Sequence, residues 1–245
     1  MKKFLILFLS ICILTSLVSC GRSYPAYFTG EYVQEHYELV DMNLIYLSSY
    51  QERTARISNS GIICQFAEIK GVPLEQFVGM TSSVFLSSDR YAYVASNSEN
   101  PINPIDDFEI KKIELYAKYE YFETHSSERD KYGKMIYIKQ LHEINNLEIT
   151  QEILDSIRYA ERENIENIKT PPCESGAVTV RIHFQEYKNI VWDAEVGEKD
   201  EKYYLKLILV DEERKIFSLD DNIVYVYVGP NFDALMESLF NGQSS

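Results

Sequence analysis

Four successive stretches near the end of the chain alternate apolar and polar residues with a period of two. Val178, Val180, Ile182 and Phe184 alternate with Thr179, Arg181, His183 and Gln185. Ile190, Trp192, Ala194 and Val196 alternate with Val191, Asp193 and Glu195. Tyr203, Leu205, Leu207 and Leu209 make a third row, and Ile223 to Val228 a further strand. Successive side chains of a strand point to opposite faces, so each run buries one face. Short polar breaks between the runs predict an antiparallel meander. Gly229-Pro230-Asn231 then opens a helix with the stripe Phe232, Leu235, Met236, Leu239 and Phe240, and Asn241-Gly242 stops it. Neither element buries its apolar face alone, so that helix is expected to lie across the sheet.

Upstream, the pattern is again one of short strands. Leu44 to Leu47, Arg53 to Ile57, Ile62 to Ile69, Phe77 to Thr81, Val84 to Leu86 and Tyr91 to Ala95 read as strands, with Asn59-Ser60-Gly61 and Ser88-Asp89-Arg90 as turns. Glu31 to Val40 fits helix by spacing and strand by aromatic content. Asn97 to Asp107 reads as a loop, Phe108 to Glu123 and Lys134 to His142 as strands, and Thr124 to Tyr132 as the turn between them. Ile149, Leu154, Ile153, Ile157 and Ala160 recur at helical spacing, with Asn146 as the cap and an end near Glu163. The fold class is therefore α+β: mainly antiparallel sheet with few helices. Two prolines and Gly176 mark 169–176 as a linker. It separates a strand-rich region, 31–168, from the meander and terminal helix, 177–241.

The first residues belong to neither region. Lys2 and Lys3 precede an apolar run from Phe4 to Val18. As a helix that run rises only ~22 Å, against about 30 Å for a bilayer core. Its length is that of a signal-peptide apolar segment. Leu17-Val18-Ser19-Cys20 closes it and resembles a bacterial lipobox. The resemblance implies that 1–19 is a lipoprotein signal peptide and that Cys20 carries a thioether-linked diacylglycerol as the mature N-terminus. Residues 20–30 are then a tether. Two acyl chains meet the two-signal requirement for stable anchoring. The implied place is the extracytoplasmic face of the cell membrane. In its Ile-Tyr-Lys-Asn-rich style the rest of the chain is similar to lipoproteins of Gram-positive bacteria.

Charge narrows the partners. The chain has 24 basic residues, two of them in the leader, against 38 acidic ones, a net of −14. Phosphate backbones demand a basic face, so nucleic acid is not an expected partner. Anionic headgroups also repel such a surface, so the acyl chains must hold the membrane. An envelope protein or a glycan remains a possible partner, and a cationic one fits the charge. With 19 Tyr and 12 Phe but only 10 Gly, the chain is a folded one. Cys64 and Cys173 are a possible disulfide in an oxidising compartment, while the apolar setting of Cys64 in "IICQFAEI" equally suits a small core residue.

Known chemistry finds little purchase. His142-Glu143-Ile144-Asn145-Asn146 begins like a zinc protease motif but has Asn146 where the second histidine should be. The four histidines, His36, His125, His142 and His183, sit at no ligand spacing and read as isolated surface residues. No G-x-S-x-G, G-x-G-x-x-G or Walker loop occurs. Asp193 and Glu195 share a strand face and read as solvated. Tyr24, Tyr27, Tyr32 and Tyr37, and again Tyr116, Tyr119 and Tyr121, read as sheet packing or as a contact platform. No catalytic residue, cofactor or metal ligand is assigned. The expected role is a non-catalytic binding or interaction module, and the alternative is a cell-envelope hydrolase using carboxylates without a readable motif.

Overall fold

The computed structural model describes residues 30–47, 49–59, 62–82, 90–95, 103–122, 134–171, 177–209 and 222–240. The described elements are α1 (Gly30–His36), β1 (Tyr37–Glu38), β2 (Leu44–Tyr46), β3 (Ser49–Asn59), β4 (Ile62–Ile69), β5 (Phe77–Ser82), β6 (Arg90–Ala95), α2 (Pro104–Asp107), β7 (Ile110–Phe122), β8 (Lys134–Ile144), α3 (Leu147–Tyr159), β9 (Ala177–Phe184), β10 (Ile190–Lys199), β11 (Lys202–Leu209), β12 (Asn222–Tyr227) and α4 (Pro230–Phe240). The α+β reading holds: an antiparallel sheet dominates, and the last helix packs on it. The ambiguous 31–40 stretch is helix first and strand after. The expected loop contains the short α2, capped by Asn103. Expected features at Val84 to Leu86, Ser88 to Asp89, Ser60 to Gly61 and 124–132 lie outside the described residues.

The strands run in the order β3-β4-β5-β6-β2-β10-β9-β7-β8, with β1 beside β6, β11 beside β10, and β12 beside β11. The meander β9–β12 is present as read. It does not form a sheet of its own. β10 pairs with β2 and β9 with β7, so the last third of the chain is inserted into the sheet built by the first two thirds. The 169–176 segment takes part in the fold at its start. Lys169 exchanges both backbone hydrogen bonds with Glu198, and Pro171 is buried. Period-two patterning marks which face a strand buries but not which strand it sits beside.

One core cluster binds the two regions. Ile113, Leu115, Val178, Val180, Ile182, Phe184, Trp192 and Ala194 form its sheet side, and Ile149, Ile153, Leu154, Phe232, Met236 and Phe240 come from α3 and α4. Asn146 caps α3 as its sequence predicts: its side-chain oxygen accepts from the N–H groups of Glu148 and Ile149. The helix ends at Tyr159, a turn short of Glu163. From α3, Glu152 reaches the start of α4 and accepts from Asn231 N–H and Phe232 N–H at 3.2 and 2.9 Å. A carboxylate there takes up N–H groups the helix cannot pair and meets the positive end of its dipole. Gly229 sits against that carboxylate with φ +154, and a Cβ at this position would collide with the Glu152 side chain. On the opposite face, α1 covers a second, smaller cluster of Val33, Tyr37, Phe66, Leu74, Val78, Met80 and Tyr93.

Asn43 joins the two parts of the sheet. β2 ends on one edge of β10, and β11 continues along that edge. Asn43 lies between them, 5% exposed. Its carbonyl accepts from Asp193 N–H at 2.8 Å. Its side-chain amide donates to Asp193 O at 2.8 Å and Lys206 O at 3.2 Å, and its Oδ1 accepts from Ile208 N–H at 3.1 Å. A break between two strands would otherwise leave these groups buried and unpaired.

Gly229→Ala should lower stability by about 2 kcal/mol or more, because the collision is with a group that is itself fixed by α4. Gly71→Ala, at φ +76 with its nearest neighbour 4.0 Å away, should cost only about 1 kcal/mol. Urea unfolding of the two variants measures the difference.

Candidate functional site

The strongest concentration of polar side chains lies on the outer face of β7, β9 and β10. Register places it there. Glu114 of β7 stands opposite Arg181 of β9, which stands opposite Asp193 of β10. Lys112 stands opposite His183, and Tyr116 opposite Thr179, on the same face. The row of Lys112 and His183 continues through Val191, Ile45, Tyr91, Met80 and Phe66. One face thus passes from charged residues to the apolar cluster under α1.

The contacts divide into two groups. Arg181 Nε donates to Asp193 Oδ1, and Nη2 to Oδ2, both at 2.7 Å. Nη2 also donates to the Tyr116 hydroxyl at 2.8 Å, and that hydroxyl donates to Asp193 Oδ2. The guanidinium carbon lies 4.3 Å from the centre of the Tyr116 ring. In the second group, Glu114 Oε1 accepts from Lys112 Nζ at 2.5 Å, and Oε2 faces His183 Nε2 at 2.6 Å. Side-chain exposure is 11% for Arg181, 13% for Asp193, 12% for Glu114 and 18% for His183. These are charges largely withdrawn from water, so their pairing matters more than it would on an open surface.

Protonation follows from this. Burial pushes the Tyr116 hydroxyl far above its ordinary value, and the neighbouring Asp193 carboxylate pushes it further, so it stays a neutral donor. Burial works against the Arg181 cation, but the hydrogen bonds and charge of Asp193 outweigh it. Burial would raise Glu114, yet hydrogen bonds from Lys112 and His183 prevail and hold it below the usual carboxylate range. For His183, burial prevails over the attraction of Glu114, and Lys112 and Arg181 add to it, so the ring is harder to protonate than a free imidazole. Glu114 and His183 thus both move downward. At neutral pH their contact is a hydrogen bond from the Nε2–H of a neutral imidazole to a carboxylate, with Lys112 as the counter-charge.

As chemistry this is a closed arrangement. All four oxygens of Glu114 and Asp193 already face a donor. Lys112 and Arg181 balance the two carboxylates. The Thr179 hydroxyl beside Tyr116 is buried with no hydrogen-bond partner among the described residues.

The sequence reading separated these residues incorrectly. His183 is not isolated but paired with Glu114. Asp193 is enclosed by Arg181 and Tyr116, whereas its neighbour Glu195 is 48% exposed and meets Lys206 at 3.4 Å. Of the tyrosines, Tyr37 is buried and donates to Leu74 O, Tyr116 is buried in the cluster, and Tyr32 stacks on His36. Tyr24 and Tyr27 lie outside the described residues, as do the side chains of Tyr119 and Tyr121. His142 is exposed on β8; His125 lies outside the described residues. The backbone of Cys64 pairs with Ile57 and Ser82. Cys20, Cys173 and the side chain of Cys64 lie outside the described residues. Among the described residues, no group of three His, Cys, Asp or Glu side chains could hold a metal ion, and no helix is long and apolar enough to cross a membrane. Comparison with protein-family models, with curated proteins and with solved structures finds no match.

Arg181→Met should lower stability by about 3 kcal/mol by leaving the Asp193 carboxylate enclosed without its cation, and Arg181→Met with Asp193→Leu should recover most of the loss. Chemical denaturation of the two variants decides it. His183 predicts a pH dependence as well. Its folded pKa lies below the unfolded value of 6.5, so the unfolded chain takes up the proton first and stability falls as pH drops below 6.5. Glu114 adds a further loss below 4.5. The melting temperature of the wild type should decline across the upper window, and His183→Gln should flatten that decline.

Proposed function

We propose that this chain is a lipid-anchored lipoprotein of the extracytoplasmic face, whose folded part is a non-catalytic binding or interaction module. The observation that carries the anchor is Leu17-Val18-Ser19-Cys20 at the end of a short apolar segment behind Lys2 and Lys3. A thioether-linked lipid at Cys20 holds an acidic body that anionic headgroups would otherwise repel. The module reading is supported by the closed outer-face cluster. A general base needs a carboxylate or imidazole free to take a proton from a substrate. Glu114 and Asp193 have each oxygen committed to a donor within the sheet.

Mass spectrometry of the native product tests the anchor. Cys20 should be the first residue and carry diacylglycerol, and Cys20→Ser should release the protein from the membrane fraction. A bare thiol with the leader still attached overturns the assignment. For the module, the acylated form used as bait in solubilised envelope should retain a specific protein or glycan. Turnover of a cell-wall substrate by the purified protein would replace this reading with a hydrolase.

A further inference from the structure

We infer that the Asp41 carboxyl is a proton-operated latch on the junction where β2 ends and β11 continues along β10. Asp41 lies two residues before Asn43, the residue that fills this junction. Its Oδ1 accepts from Asn43 N–H at 2.7 Å, and its Oδ2 accepts from the Trp192 indole N–H at 2.8 Å. Its backbone oxygen accepts from Leu44 N–H at 3.2 Å, which closes the turn into β2. Asp41 therefore ties three things together: its backbone oxygen closes the turn entering β2, and its carboxyl holds the backbone N–H of Asn43 and the largest ring in the core. Asn43 itself acts through its amide and backbone alone, so the titratable side chain that bonds to it directly among the described residues is the Asp41 carboxyl.

The surroundings set the direction of the latch. The carboxyl is turned toward Trp192, which is 1% exposed. Burial pushes Asp41 upward, and the Asn43 N–H, the Trp192 N–H and the charge of Arg162 only partly offset it, leaving the carboxyl above 3.8. Arg162, in the segment after α3, is the cation that acts on it. From β10, the charged neighbour Asp193 is committed to Arg181 on the outer face. From β11, Lys206 meets the junction through its carbonyl and turns its ammonium to Glu195. Both of those charges are thus neutralised in place. An acid whose folded pKa is raised favours the protonated fold. Its contribution to stability grows as pH falls through the folded pKa toward 3.8 and is lost as pH rises again. In its pH dependence this is opposite to His183 and Glu114, which weaken the fold in acid. At the junction itself, a proton on either oxygen takes an acceptor away from the Asn43 or the Trp192 N–H. On the extracytoplasmic placement proposed above, the pH that works the latch is that of the surroundings, but the latch itself does not depend on that placement.

The chain has one tryptophan, and it is the Asp41 partner, which gives a direct reading. Trp192 emission of the full chain in detergent should be followed from ~pH 7 to ~pH 3. It should change in one step with a midpoint above 3.8, before any global unfolding. Asp41→Asn should abolish the step. Arg162→Gln, at an exposed position, should keep the fold and move the midpoint upward, because it removes a charge that favours the carboxylate. The proposal is overturned if emission stays flat until the protein unfolds, if the step survives in Asp41→Asn, or if Arg162→Gln leaves the midpoint in place or lowers it. Should Asp41→Asn fail to fold, the wild-type titration and Arg162→Gln still decide. Failure of the latch would leave the anchor at Cys20 untouched, and a bare Cys20 would leave the latch untouched.

Discussion

The hydrogen bonds of Asn43 are the constraint on which the rest of this sheet depends. β10 carries β2 along the first part of one edge and β11 along the last part, and a strand edge cannot be left unpaired inside a core. Asn43 fills the gap with two donors and one acceptor from its amide, together with its backbone oxygen. Removing that side chain would strand backbone groups of β10 and β11, at about 1–3 kcal/mol for each group left unsatisfied. Because β12 and α4 follow from β11, the joint also positions the terminal helix. Glu152 then ties that helix to α3 from the other side.

The two faces of the sheet solve different problems. On the inner face, α3 and α4 close over apolar side chains from β7, β9 and β10. The outer face has helix cover at the β4–β6 end, where α1 lies over Phe66, Val78 and Met80. At the other end it holds its charges in pairs: Arg181 on Asp193, Lys112 and His183 on Glu114. A bidentate guanidinium–carboxylate contact suits this setting, since it commits both oxygens in one fixed geometry. Each pair joins neighbouring strands or nearby positions on one face, so the cluster also favours one register over a slipped one. The proposed latch at Asp41 stands apart from it, on the Trp192 side of β10.

What was legible in the sequence was local. Asn146 announced a helix start because an asparagine side chain just ahead of an apolar stripe can take the first N–H groups. Val178 to Phe184 announced a strand and its buried face by period alone, and those four apolar residues are 0–1% exposed. Ile62 to Ile69 was bounded correctly at both ends. The candidate site was half legible. Arg181, His183 and Asp193 could be placed on outward faces of their strands. That Glu114 and Tyr116, more than sixty residues earlier, stand beside them could not, because the pairing of β7 with β9 is a long-range choice that strand patterning leaves open. Asn43 carried no signal either: as a residue in an unassigned stretch before a short strand, it resembles any polar turn residue.

By itself, the sequence determined most of the elements, the side of each that faces the core, the acidic excess, and the short apolar run ending in cysteine. These follow from spacing and composition, which act over a few residues. The tertiary structure decided which strands are neighbours, and with that everything polar that is buried. It inserted β9 and β10 between β2 and β7, made a joint of Asn43, and enclosed Asp193 while leaving Glu195 in water. The physical reason is that a hydrogen bond or an ion pair is a relation between two positions, and its strength depends on how much water the rest of the fold removes from around them.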